Sequence, residues 1–239
     1  IGATCRCDSI MTEPGERINV YLEVGQKRTM AGALDWPGWC RGGANEEAAL
    51  QALLAYAPRY AEVMKASPLG FVAPTAIGQF EVIQRIKGDS GTDYGVPAAA
   101  PAQDSQPVDA AELARLSTIL KLCWQAFDKA VSHAAGKTLR KGPRGGGREV
   151  AGIMRHVMEA DGGYIKQAGA TFTVQSSDDL SAQLDETRTA LLDALARSAR
   201  GELPTRGPRG GIRWPARYFA RRVAWHELDH AWEIEDRIE

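Results

Sequence analysis

Between Arg17 and Val24, apolar and polar positions alternate. Ile18, Val20, Leu22 and Val24 interleave with Arg17, Asn19, Tyr21 and Glu23. A period of two is that of a half-buried strand. Gly25–Gln26 supplies a hairpin turn, and Lys27 to Trp36 reads as a second strand. Pro37 to Gly43 reads as a turn-rich loop. Asn45 is a helix N-cap, with Glu46 and Glu47 placing negative charge in the first turn. That helix runs to about Ala66 with a kink at Pro58. Gln79 to Ile86 is a third short strand.

Past residue 107 the period changes to that of a helix. Leu113, Leu116, Leu120, Cys123, Trp124, Phe127 and Val131 recur in steps of three and four, giving a helix over about 109–135. A second helix covers about 147–167, with Val150, Ile153, Val157, Ala160 and Tyr164 on one face. Ser176 or Ser177 caps a third, Asp178 and Asp179 favour its start, and Leu180, Leu184, Leu191 and Leu195 form its stripe. A fourth begins near Trp214–Pro215 and runs almost to the end. The fold class is therefore an α+β N-terminal module of order ββαβ followed by an all-α antiparallel four-helix bundle. The second and fourth helices of an up-down bundle run in the same direction.

Gly95 to Pro107 is rich in Pro, Ala and small polar residues and reads as a linker. It divides the chain into an α+β module at 11–94 and a bundle at 108–239. Residues 1–10 are disordered or an extension ahead of Met11 that adds little to the fold. A net charge of −1 gives no electrostatic case for nucleic acid, and no apolar run is long enough for a membrane span. Cys5, Cys7, Cys40 and Cys123 match neither a disulfide framework nor a four-cysteine zinc site, which points to reduced thiols and a cytoplasmic protein.

The chain has four histidines. His226 and His230, four residues apart on the core-facing side of the fourth helix, can share a metal. His156 lies on the inner side of the second helix. It falls about nine residues in and His226 about ten, so both sit about 14 Å from one end of the bundle. Three imidazoles at one level make an open divalent metal site, for which zinc or nickel is suited. His133, at the end of the first helix, reads as a surface residue. His226-Glu-Leu-Asp-His230 also fits the H-E-x-x-H pattern of zinc proteases. Nine residues remain beyond it for a further ligand, and Glu227 points away from the metal by about 100° of helix rotation, so the protease reading is rejected.

Two strings carry family resemblances. Ala33-Leu-Asp-Trp-Pro-Gly-Trp-Cys-Arg-Gly-Gly-Ala-Asn-Glu-Glu-Ala48 resembles the HicB-like antitoxin fold over roughly 17–87, which implies a small interaction module. Arg148 to His156 and Arg222 to Arg237 resemble the DinB/YfiT-like metalloenzymes over about 108–239. That resemblance implies a four-helix bundle whose metal ligands are His156, His226 and His230. It also implies transferases or isomerases that use low-molecular-weight thiols.

The nearest carboxylates, Glu159, Asp229 and Glu233, are either partners of the imidazole N–H groups, a base, or solvent-facing helix charges. Gly142-Pro-Arg-Gly-Gly-Gly-Arg148 and Gly207-Pro-Arg-Gly-Gly-Ile-Arg213 echo one another ahead of helices two and four. The echo marks either two similar hairpins or a shared loop preference. Arg144, Arg148, Arg209 and Arg213 would then stand at one end of the bundle, holding a carboxylate or phosphate or forming a solvated rim. The functional expectation is a thiol-dependent transferase or isomerase, or a hydrolase, acting on a small molecule. The alternative is a non-catalytic metal-binding or protein-interaction module. A homodimer fits the bundle type.

Overall fold

The computed structural model describes residues 17–141, 147–175 and 179–239. The sequence expectations at residues 1–10, Arg144, Ser176, Ser177 and Asp178 lie outside them.

The first half is a four-stranded sheet in the order β3-β2-β1-β4. β1 (Ile18–Val24) pairs antiparallel with β2 (Thr29–Ala33) through the turn at Gly25, and β2 pairs antiparallel with β3 (Cys40–Gly43). The stretch read as a turn-rich loop thus ends in a strand, because its Gly42 and Gly43 pair with Met30 and Thr29. Asn45 caps α1 (Glu46–Ala55) by accepting from the Ala48 N–H at 2.8 Å. The helix then breaks at Tyr56, and α2 (Ala57–Met64) begins with Pro58 in its first turn. β4 (Phe80–Lys87) returns parallel to β1. It is followed by the short α3 (Ser90–Tyr94).

β1 departs from the half-buried expectation. Val20 and Leu22 join the core with Trp39, Leu53 and Tyr60, but Tyr21 and Glu23 on the other face are also buried. That face is covered by the stretch read as a linker. Glu23 accepts N–H bonds from Ala98 and Ala99 at 3.0 and 3.1 Å and takes the Thr92 hydroxyl, so a buried carboxylate is satisfied. A 3₁₀ turn at Ala102–Ser105 presents the buried Asp104 to Arg221. Polar alternation in this strand marks groups that find partners inside the protein.

The second half consists of α4 (Ala110–His133), α5 (Val150–Ala168), α6 (Leu180–Ala199) and α7 (Ala216–Arg237). Asp179 is the N-cap of α6, accepting from the Ser181 N–H at 2.9 Å. Helix directions differ from the up-down expectation. Near the two starts Arg217 pairs with Glu112, and past the two ends Leu139 bridges Ile238, so α4 and α7 run the same way. α5 and α7 run oppositely. Arg237 donates to the Arg148 carbonyl at one end, and the Trp214 N–H donates to the Gln167 carbonyl at the other. The ends of α5 and α6 meet at a cavity lined by Ala168, Ser198 and Val108, so α6 is parallel to α5. Residues 169–175 therefore run back along α5, with Phe172–Val174 beside Glu159 and Gly162.

α7 binds the halves together. Its buried residues Phe219, Ala224, Leu228 and Trp232 belong to the cluster that also holds Val20, Leu22 and Trp39. Gly38, at φ 96°, lets the β2–β3 turn approach α7; a Cβ there would meet Leu228 at 3.0 Å. Arg41 reaches Asp229 at 2.6 Å and stacks on Tyr56 at 3.7 Å. Among the described residues no helix is long and apolar enough to cross a membrane.

Candidate metal centre

The polar stripe of α7 steps by three and four residues through Arg222, His226, His230, Glu233 and Arg237. It faces the stretch of α5 that carries His156. The His156 ring stands 5.1 Å from His226 and 5.0 Å from His230, centroid to centroid. Across the three residues the donor nitrogens lie within 4.8 Å of one another. His226 and His230 point their Nε2 atoms at each other across 3.2 Å. Two ligands of a tetrahedral ion bound at 2.0–2.1 Å would be separated by about 3.3 Å, so the donor set fits a divalent cation such as zinc.

The surroundings prepare these nitrogens. Glu233 takes the Nδ1–H of His230 at 2.7 Å and is itself gripped by Arg237 at 2.6 Å. This fixes the tautomer of His230 and leaves the lone pair on Nε2, facing His226 and His156. The same contacts hold the Glu233 carboxyl below its ordinary range, the His230 bond contributing most. Burial pushes the His226 imidazole down to about 2, helped by His230, His156, Arg222 and Arg148. His156, half-buried, is lowered too, first by desolvation and then by Arg148. Neutral imidazoles are the form that binds metal.

Gly147 secures the lead into α5. It has φ 148° and lies under Arg237, whose Nη2 would be 2.3 Å from an added Cβ. The levels match for a reason other than the one expected. His156 is the seventh residue of α5, and His230 is the eighth from the end of α7. In antiparallel helices those two positions face each other.

Of the expected carboxylates, Glu233 holds His230. Asp229 turns to the sheet side and pairs with Arg41. Glu159 is exposed on α5, beside Phe172 and Thr173. Arg148, Arg209 and Arg213 do not gather at one end. Arg148 leads into α5 beside the end of α7, while Arg213 donates to the Lys166 carbonyl near the other end of α5, 2.7 Å away. Arg209 is exposed in the turn between Arg206 and Ile212, on the Arg213 side. The antiparallel course of α5 and α7 separates Arg148 from Arg209 and Arg213.

Three features escaped the sequence reading. Glu227 does point away from the histidines, but into the bundle centre, where it lies fully buried against Asp161. Burial drives both carboxyls above their ordinary range. Their four oxygens receive no hydrogen bond from any other described residue, and burial together with their mutual repulsion favours retention of a proton on the pair. Asp161 was legible as the polar member of the stripe Ile153, Val157, Asp161, Ile165. The third feature is Tyr164 with Arg222. The tyrosine ring packs 5.7 Å from His226, and the Arg222 guanidinium lies 5.5 Å over it. Arg222 was legible in the four-residue step that continues to His226 and His230.

Residues 119–234 match the family model of the DinB superfamily, a span that contains His156, His226 and His230. No curated protein and no solved structure matches the chain.

Proposed function

We propose that His156, His226 and His230 hold a divalent metal ion, zinc or nickel, and that the chain is a DinB-like metal-dependent enzyme acting on a small molecule. The observation that carries this reading is the convergence of three donor nitrogens within 4.8 Å, one of them fixed by the Glu233–Arg237 pair. When bound by three neutral imidazoles, such an ion keeps a coordination position for a ligand and acidifies a thiol or water placed there. The reaction class we favour is transfer or isomerisation assisted by a low-molecular-weight thiol, with hydrolysis as the related use of the same site.

The protein's own part is to orient and shield. Glu233 keeps the proton on the far side of His230, and burial keeps His226 unprotonated. Tyr164 closes one wall of the site, its ring against His226.

The test starts with metal analysis of protein purified without a nickel column. One equivalent of zinc or nickel in the wild type, lost in His226→Ala, supports the site; unchanged metal in that variant sinks it. Thiols are then paired with electrophilic substrates, and esters are tried alone. Turnover abolished by His230→Ala supports the enzyme. Full metal occupancy without turnover across both panels would leave a metal-binding module and overturn the catalytic part.

A further inference from the structure

Arg221 and Arg222 are neighbours on α7, and both are buried, 6% and 7% exposed. Arg221 gives Nη1 to the Ala33 carbonyl at 2.8 Å. Its Nε and Nη2, the edge whose parallel N–H groups match a carboxylate, both bind Asp104 at 2.7 Å. Arg222 likewise gives Nη1 to a main-chain oxygen, that of Pro97. Among the described residues its Nε has no partner, and its Nη2 reaches only the Tyr164 hydroxyl at 3.4 Å. Among the described residues no carboxylate pairs with it.

A buried guanidinium without a counter-ion is costly. The faces of Trp225 and Tyr164, 4.9 and 5.5 Å from its Cζ, offset part of that cost and leave the charge in place. The unpaired edge belongs to the histidine site. Arg222 stands one turn before His226, about 6 Å along the helix, and Tyr164 packs against both. An anion at the histidines would therefore meet a fork of the kind that Arg221 fills with Asp104.

We propose that Arg222 is the anion-recognising residue of the three-histidine site, and that the small ligand taken there carries a carboxylate. This rests on the metal reading above. It also gives the sheet half of the chain a part in the site. The segment that supplies Pro97 to Arg222 also accepts the Tyr218 hydroxyl on the Ala98 carbonyl at 2.7 Å, packs Val96 against Trp225, and is pinned to β1 through Glu23. The N-terminal half thus sets the direction of the fork.

The probe is the visible spectrum of the full-length protein loaded with cobalt(II). It is titrated with mercaptoacetate and 3-mercaptopropionate, and separately with the neutral 2-mercaptoethanol and 3-mercaptopropanol. Wild-type protein is expected to bind the carboxylates about tenfold or more tightly than their neutral counterparts, as a charge-assisted bidentate pair requires. Arg222→Gln should erase that preference and leave the neutral thiols unchanged. Arg222→Lys, a point charge without the fork, should retain only part of it and decides the matter if the Gln variant does not fold. Equal affinity for charged and neutral thiols in wild type, or a preference that survives both substitutions, overturns the inference alone. A protein that takes up no cobalt overturns it together with the metal reading.

Discussion

On the side of α7 that faces the sheet, every described ion pair is complete. Arg221 is matched by Asp104, Arg41 by Asp229, and Arg59 by Glu235 and Asp236. On the side that faces α5, the polar groups converge and part of them stay unmatched. His226 Nδ1 and Arg222 Nε are buried with no hydrogen-bond partner among the described residues, and the three imidazoles face one another. The same helix therefore holds two kinds of polar layer. One matches each of these guanidinium charges with a carboxylate inside the protein and fastens the halves together. The other keeps donors in reserve at considerable desolvation cost, which is what a binding site does.

The comparison is broken hardest at Arg221. Arg221→Met leaves the fully buried Asp104 unpaired and should cost about 3–5 kcal/mol, lowering Tm by on the order of 10 °C. Metal content per folded molecule should be unchanged; a loss of metal with little loss of Tm would mean that the two faces are not distinct. On the other face, Glu233→Gln exchanges a carboxylate acceptor for an amide. Metal affinity measured by competition with a chelator should fall about 10- to 100-fold while the melting curve of the metal-free protein barely moves.

Acid sharpens the contrast further. His226 has its folded pKa depressed to about 2 from an ordinary value near 6.5. The unfolded chain binds a proton that the folded chain refuses, so the stability tied to His226 is full above 6.5 and is lost as pH falls below it. Metal-free protein should lose about 1.4 kcal/mol per pH unit from this residue between pH 6.5 and 5, and His226→Gln should flatten that slope in melts across the range. An unaltered slope in the variant would show that His226 is reachable by solvent protons. The smallest effect belongs to Asp229. Asp229→Asn weakens a partly exposed pair with Arg41, which keeps its stacking on Tyr56 and Trp232, and should cost no more than about 1 kcal/mol with metal affinity untouched.

The three histidines were legible because their signals are local. Spacing of four on an amphipathic helix places His226 and His230 on one side whatever the surrounding fold, and Glu233 follows from the same helix, three residues beyond His230. The common end expected for Arg148, Arg209 and Arg213, and the imidazole partnership considered for Asp229, do not hold because these positions depend on packing. Helix phase says that Asp229 is off the histidine side; only the docking of β3 shows that Arg41 is waiting there. The expected equality of depth rested on parallel helices, yet it selected the residue that the structure brings beside His226 and His230. His156 is about as far from the start of α5 as His230 is from the end of α7, and a count from the opposite end gives the same level.

Strand and helix periods, the Asn45 cap, the break near Pro58 and the spacing of the metal-ligand candidates were set by the amino-acid sequence alone, because each depends on neighbours within a turn or a pleat. Tertiary structure decided the rest. It ran residues 169–175 back along α5, set α5 against α7, and put Arg148 at the opposite end of α5 from Arg209 and Arg213. It also covered the outer face of β1, so that Tyr21 and Glu23 became interior residues. These outcomes rest on which apolar faces meet and on which buried charges find partners across more than a hundred residues. Arg221 found Asp104, and Arg222, one residue on, found the rings of Tyr164 and Trp225 and no carboxylate among the described residues.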